Sequence, residues 1–482
     1  MQRKDIKLET IHKEFEGIIT GLEERSKAGD ALYSVENMIF RQLLQLGKLL
    51  FEYYLSVLLL GSKAKNKEYR KTGLKNCGQK KRTLLTIFGL VEILRFKFYD
   101  TAHKRTVYPF DIEHKIGNSK FSYTLQDWIG RASTDNTFEE SVSAVNRILG
   151  LNLVGMQSER ISEKMSENVE MYYAQKEYNT QIEGKFFAVG FDDKGVPIRA
   201  GCLERKAESN GVRLGKGQKR DVQRHSTVSV TYSFNERCRT AGDVIKSLFK
   251  EKKEENTEPL EKQKMAQHKH IRAFMSDKEK AIEYGFNQIL KRKGGTTAPI
   301  VVLIDGDRGL EHAVDRVAQR MQLTERIDTK ILDFIHVTEY VWKAANVHFG
   351  EKSDKRESWV KQQCRLLLES KTPNVIEIVN ELLEKHKGNS GKERDLESVI
   401  KYFTNHTHMM DYANYLKKGY PISTGAVESA CGHFVQNRMQ RNGMHWTPDG
   451  SQNMLNLRAI SKNKDWEDYM KFYIDSQYKF AA

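Results

Sequence analysis

The order of apolar runs between residues 184 and 349 constrains this chain most. Three β-rich runs come first: "GKFFAVGFD" (184–192), "VPIRAGCLE" (196–204) and "VQRHSTVSVTYSF" (222–234). A helical segment begins at "RTAGDVIKSLF" (239–249), and "PIVVLID" (299–305) then gives a short apolar run ending in an acid, the pattern of a buried strand. Amphipathic helix "GLEHAVDRVAQRM" (309–321), a second buried strand "TKILDFIH" (329–336) and helix "VTEYVWKAANVHF" (337–349) follow. Three meander strands followed by strand–helix–strand–helix predict an α/β fold: one mixed sheet with helices on its faces.

That order is also the order of a ribonuclease-H-like core, which places the first part of such a core at 179–350. Residues 351–418 are rich in Lys and Glu and read as helices without strands, a helical insertion ahead of a final core helix and tail at 419–482. Upstream, 1–62 has the helical apolar spacing of two helices. Residues 63–120 hold a basic linker, "KAKNKEYRKTGLKNCGQKKR" (63–82), and a hairpin, "TLLTIFGLVEILRFKFYD" (83–100). Within 121–178, helix "FEESVSAVNRILG", the turn "LNL" and a second helix carrying Gln157 and Arg160 near its start suit a helix-turn-helix, although many helical hairpins look alike. The expected architecture is thus a mostly α-helical N-terminal DNA-binding region before the mixed-sheet core.

Composition narrows the partners. Among 482 residues, 79 Lys+Arg against 64 Asp+Glu give a net charge of +15, which favours a polyanion. Nucleic acid is preferred to membrane, because the longest apolar run, "LLFEYYLSVLLL", contains Glu52 and is too short to span a bilayer. "MQRKDIKLET" lacks the apolar stretch of a secretion signal. The five scattered cysteines form no CxxC pair, so neither a zinc knuckle nor a disulfide framework is indicated. A cytoplasmic, DNA-binding protein is expected.

Two acids end strand-like runs: Asp192 in "AVGFDDKGVP" and Asp305 in "VVLIDGDRG". Each also suits a turn, since Asp bonds nearby backbone and Gly supplies positive φ. Asp193 and Asp307 compete with them, and the first of each pair is preferred because it directly ends the apolar run. At the carboxyl edge of neighbouring strands the two side chains converge. Converging carboxylates repel unless a divalent cation neutralises them, and hard oxygen ligands suit Mg²⁺. Two such ions about 3.5–4 Å apart can drive in-line attack on phosphorus. Glu428, among the small residues of "PISTGAVESACGH", is the candidate third carboxylate, on a helix free to approach the sheet closely.

Several further residues stand near these acids. His336 suits either a helix-start cap or a contact beside the acids. The segment "RLGKGQKRDVQRH" offers Lys216, Lys219 and Arg220, while Arg438 and Arg441 follow Glu428 at nearly helical spacing. All five cations suit DNA phosphates or a solvated face. "RLGKG" lacks the spacing of a P-loop.

Together "FDDKGVPIRA", "RLGKGQKR", "LIDGDRG", "ILDFIHVTEYVWKAA", "PISTGAVESACGHFVQNRMQRNGMHW" and "DWEDYMKFY" resemble the ISKra family of bacterial insertion-sequence transposases, over about residues 83–475. The resemblance implies a DDE transposase that binds an element's terminal repeats and performs Mg²⁺-dependent strand cleavage and transfer. Two metal ions are implied, with Mn²⁺ as a substitute. The family's acids fall on Asp192, Asp305 and Glu428. Where the family has Asp-Gly-Lys-Gly this chain has Asp-Asp-Lys-Gly, which keeps Asp193 beside Asp192 as a candidate. The implied partners are double-stranded terminal-repeat and target DNA and a second copy of the chain, in the bacterial cytoplasm on the nucleoid. The main alternative is an inactive, transposase-derived DNA-binding regulator.

Overall fold

Two long helices open the chain, Gln2–Ala28 and Leu32–Lys71, and β1 (Leu74–Thr86) follows the second. The basic stretch 63–82 is therefore half helix and half strand rather than an extended connector. β1 turns at Gly89 into β2 (Gly89–Asp100), which pairs with the short β3 (Arg105–Val107). Leu55 of the long helix packs with Leu84, Val91, Ile93 and Phe110 to form the core of this hairpin layer. The helix also contains, by length and composition only, an apolar stretch long enough to cross a membrane (Leu32–Lys65).

These are coordinates of a computed structural model. It describes residues 2–71, 73–178, 182–202, 223–249, 266–275, 277–350, 352–423, 425, 431–441 and 443–479. The chain divides into two units, Met1–Ala174 with Lys464–Ala482, and Gln175–Asn463.

Helices Pro109–Glu113, Tyr123–Ser133, Phe138–Leu149, Gly155–Ser166 and Val169–Gln175 complete the first unit's N-terminal part. Thr137 opens the middle one with a reciprocal cap, its hydroxyl accepting from the Glu140 amide while Glu140 accepts from the Thr137 amide. Gly150, at φ 69°, closes it in the left-handed conformation that glycine tolerates. The C-terminal helix Trp466–Lys479 belongs to this unit. There the Trp466 indole donates to Asp127 at 2.5 Å and the Tyr473 hydroxyl to Gln126 at 3.0 Å.

The second unit is built on a mixed five-stranded sheet in the order β6-β5-β4-β7-β8. Its strands are β4 (Phe186–Pro197), β5 (Gln223–Phe234), β6 (Gln267–Met275), β7 (Ile300–Ile304) and β8 (Ile327–Leu332). β4, β5 and β6 pair antiparallel, while β7 and β8 run parallel to β4. The fold is mixed α/β. "VPIRAGCLE" is not a separate strand: β4 runs on through Pro197, and Ile198 bridges to Trp446. The third meander strand is β6, whose inward His270 and Arg272 disguise it as a polar segment.

Helix Lys278–Leu290 lies against β4 and β5. A Cβ at its Gly285 would sit 2.5 Å from Ser229 Oγ and 3.0 Å from Val189, so only glycine permits this approach. Helix Arg308–Arg320 follows β7, and helix Phe334–Phe349 follows β8. Residues 355–417 form helices Lys355–Leu368, Thr372–Lys385, Ser390–His406 and Tyr412–Lys417. The single-turn segment Cys431–Gln436 and helix Pro448–Lys462 close the unit.

Candidate active site

Register brings three acids into one row. Gly190 pairs with Leu303 and Ile304 with Leu332, so two residues beyond the first pair and one beyond the second, Asp192, Asp305 and Asp333 fall side by side. Asp192 does not end its strand as its sequence suggested. It pairs with Val228 in the middle of β4, because β5 carries β4 onward as a hairpin arm after β7 has stopped at Ile304. Only the neighbouring parallel strand ends there.

Strand alternation separates Asp192 from Asp193. Phe191 meets Phe286 of the Lys278–Leu290 helix, and Asp193 faces the same way. The Asp193 carboxylate accepts from Thr227 Oγ1 at 2.6 Å and pairs with Lys278 Nζ at 2.8 Å. Lys278 also holds Asp307 at 3.0 Å, and Asp307 caps the Arg308–Arg320 helix by accepting from the Leu310 amide. Burial alone would lower the Lys278 pKa, but the two carboxylates outweigh it and raise it. Asp193 and Asp307 thus form a closed structural ion pair network.

Asp192 points to the opposite face and is only 6% exposed. Its Oδ2 lies 3.0 Å from Lys194 Nζ, and the Cys431 thiol bonds to the same carboxylate. Burial and the Asp192 charge together push the Cys431 thiol up, so it stays a protonated donor. The Lys194 pKa is raised, since Asp192, with smaller help from Cys431 and Asp305, overcomes the opposing effect of burial.

Asp305 is half-buried, and its carboxyl is raised above the usual range by burial and the Asp192 charge, against the opposing pull of the Asp307 amide and His336. Its Oδ1 accepts from the Asp307 amide at 3.0 Å, a local turn across Gly306. Tyr402, stacked on Tyr340 at 3.7 Å, donates to the Asp305 carbonyl at 3.0 Å. The acid's backbone is therefore fixed from the insertion helix Ser390–His406.

His336 is in the first turn of helix Phe334–Phe349 rather than at a strand end, because Asp333 accepts from the Ile335 amide and starts that helix. Burial lowers the His336 pKa, but Asp333, Glu339 and Asp305 outweigh it and raise it. Asp333 itself is fully buried as the cap. An acid directly before an apolar helical run was the sequence signal for it.

The cations separate by burial. Arg438 is fully buried, 4.8 Å over the Trp446 ring and donating to Met444, so it packs the core instead of facing a phosphate. Arg441 is half-buried and Arg160 exposed. Gln157 turns back on its own helix, accepting from the Val154 amide at 3.0 Å. Glu428, Lys216, Lys219 and Arg220 lie outside the described residues.

Among the described residues no three His, Cys, Asp or Glu side chains gather as a metal cluster. What they do supply is a pair of carboxylates, one on β4 and one directly after β7, with Asp305 raised by burial and by Asp192. Mg²⁺ is held by one or two carboxylates plus substrate phosphate oxygens, so this hard oxygen pair fits it. Comparison with protein-family models and with curated proteins returned no match.

Proposed function

We propose that the chain is a DDE-type transposase that cleaves and rejoins DNA strands at the ends of an insertion sequence, using a ribonuclease-H-like catalytic sheet. One observation carries this reading: Asp192 on β4 and Asp305, directly after the end of β7, stand side by side, with Asp305 raised by burial and by its neighbour. The sheet order β6-β5-β4-β7-β8, three antiparallel strands and then two parallel to the first, supports the same core.

Asp192 and Asp305, with Glu428 by its place three residues before Cys431, would hold Mg²⁺ or Mn²⁺. When bound, the metal supplies charge neutralisation and polarisation at the phosphodiester. The chain's own groups do the positioning. The Cys431 thiol and the Lys194 ammonium fix the Asp192 carboxylate, and Tyr402 fixes the Asp305 backbone. Lys194 also places a positive charge where a phosphate would approach. Exposed Arg160 and the +15 net charge supply sequence-independent attraction to DNA.

The test is cleavage and strand transfer on labelled DNA bearing the element's ends, with Mg²⁺ or EDTA. Wild type is expected to cut and join only with metal. Asp192→Asn and Glu428→Gln are expected to lose about 10²-fold or more, whereas Asp193→Asn, which touches only the opposite face, keeps cleavage. If wild type binds the ends but never cuts, the enzyme reading falls and a DNA-binding regulator replaces it.

A further inference from the structure

Helix Leu32–Lys71 buries one face and leaves another bare. Leu55 is buried against the hairpin layer and Ser62 is buried too, while Leu32, Phe40, Leu43, Leu50, Tyr54 and Val57 are exposed, Leu43 by 52% and Tyr54 by 54%. From Phe40 to Val57 the exposed apolar positions advance by three, seven, four and three residues, the a/d spacing of a helix that pairs with another helix, and exposed Leu60 flanks that seam. Gly47, the seam position between Phe40 and Tyr54, lies against Phe88, so the hairpin turn borders the seam at one point.

We propose that this seam pairs with the same seam of a second copy of this chain. Size supports a protein partner. At ~200 Å² for each aromatic side chain and about three-quarters of that for each aliphatic one, the exposed fractions from Leu32 to Leu60 amount to roughly 700 Å² per copy. Two copies would then bury about 1,400 Å², within the ~1,200–2,000 Å² of a specific protein interface. A two-fold pairing sets one seam against itself, so identical heptad spacing on both sides is matched without further design.

The helix is long and apolar enough for a bilayer, but its other contacts argue against one. Arg41 donates to the Ile148 and Arg147 carbonyls at 3.0 and 2.9 Å, fastening the helix to the end of helix Phe138–Leu149. A membrane-spanning helix meets lipid or other spanning helices, not a soluble β-hairpin core along one side. The proposal is independent of the reading of the acids, and loss of cleavage alone leaves it untouched.

The test uses the full chain in light scattering after gel filtration, at about 10 μM, a concentration that populates micromolar dimers. Wild type is expected at twice 55.8 kDa. Leu43→Glu with Leu50→Glu is expected to weaken the dimer about 10²-fold or more and leave a monomer. Circular dichroism and the unfolding transition verify its fold, and Leu43→Gln with Leu50→Gln serves as the milder pair if the charged one does not fold. Flotation with vesicles of phosphatidylcholine and phosphatidylglycerol is run in parallel. A monomeric wild type, a folded variant that still dimerises, or a wild type that floats with the vesicles would each overturn the proposal.

Discussion

Replacing Gly306 by alanine tests the packing behind Asp305 quantitatively, because Gly294 in the same unit provides a control. Both glycines have positive φ, +97° and +78°. A Cβ at Gly294 would meet nothing within 4 Å, whereas one at Gly306 would meet the Tyr402 ring at 3.0 Å and Leu332 at 3.1 Å. The backbone cost of alanine in this region is about 1–2 kcal/mol, partly offset by about 0.4–1 kcal/mol from a less flexible unfolded chain. Gly294→Ala should therefore cost about 1 kcal/mol. Gly306→Ala adds crowding that Tyr402 cannot relieve, since its ring is stacked on Tyr340 and its hydroxyl is held by the Asp305 carbonyl. Overpacking of this kind costs about 1–3 kcal/mol, so the two variants should differ by that amount. Urea unfolding followed by circular dichroism measures both, the midpoint shifting while the slope stays constant. Equal midpoints, within about 0.5 kcal/mol, would refute the reasoning and show that Tyr402 yields.

Two other outcomes follow from buried polar groups. His270 is held well below its ordinary pKa by burial, with Arg292, Lys176, Arg272 and Lys291 adding repulsion. Below pH ~6.5 the unfolded chain therefore binds a proton that the native one refuses, and stability falls by up to about 1.4 kcal/mol per pH unit. His270→Phe should flatten that slope in urea titrations between pH 7.5 and 5, whereas an unchanged slope assigns the loss elsewhere. Arg438→Ala should destabilise the second unit by about 3 kcal/mol through lost packing on Trp446. Unchanged stability with a salt dependence of DNA binding reduced by about one charge would instead make Arg438 a phosphate contact.

The buried parallel strand was plain in "PIVVLID", because a strand covered on both faces must be apolar throughout, and β7 is buried at every residue. β6 was not, because its inward His270 and Arg272 are satisfied by Tyr284 and Asn456, partners that only folding brings near. "FDDKG" carries turn chemistry, yet β5 holds it in an extended pair through Gly195 and beyond. The start of helix Phe334–Phe349 was hidden in the continuous apolar run "ILDFIHV", where only Asp333 marks the boundary. Of the candidate site, residue type and order identified Asp192 and Asp305. Lys194 shares the Asp192 face by strand alternation once "FDDKG" is read as extended, whereas Cys431 and Tyr402 come from segments distant in sequence, so no local pattern could reveal those two.

The C-terminal helix Trp466–Lys479 lies in the first unit, on the far side of a 289-residue excursion (Gln175–Asn463) through the second. Synthesis runs from the N-terminus, so the first unit lacks Trp466, Tyr469 and Tyr473 until the sheet of the second has been made. A chain cut short inside the second unit leaves Gln126 and Asp127 without their hydrogen-bond partners Tyr473 and Trp466. The first unit is thus begun before the second and finished after it, so its folding is completed only when the whole of the second has been made.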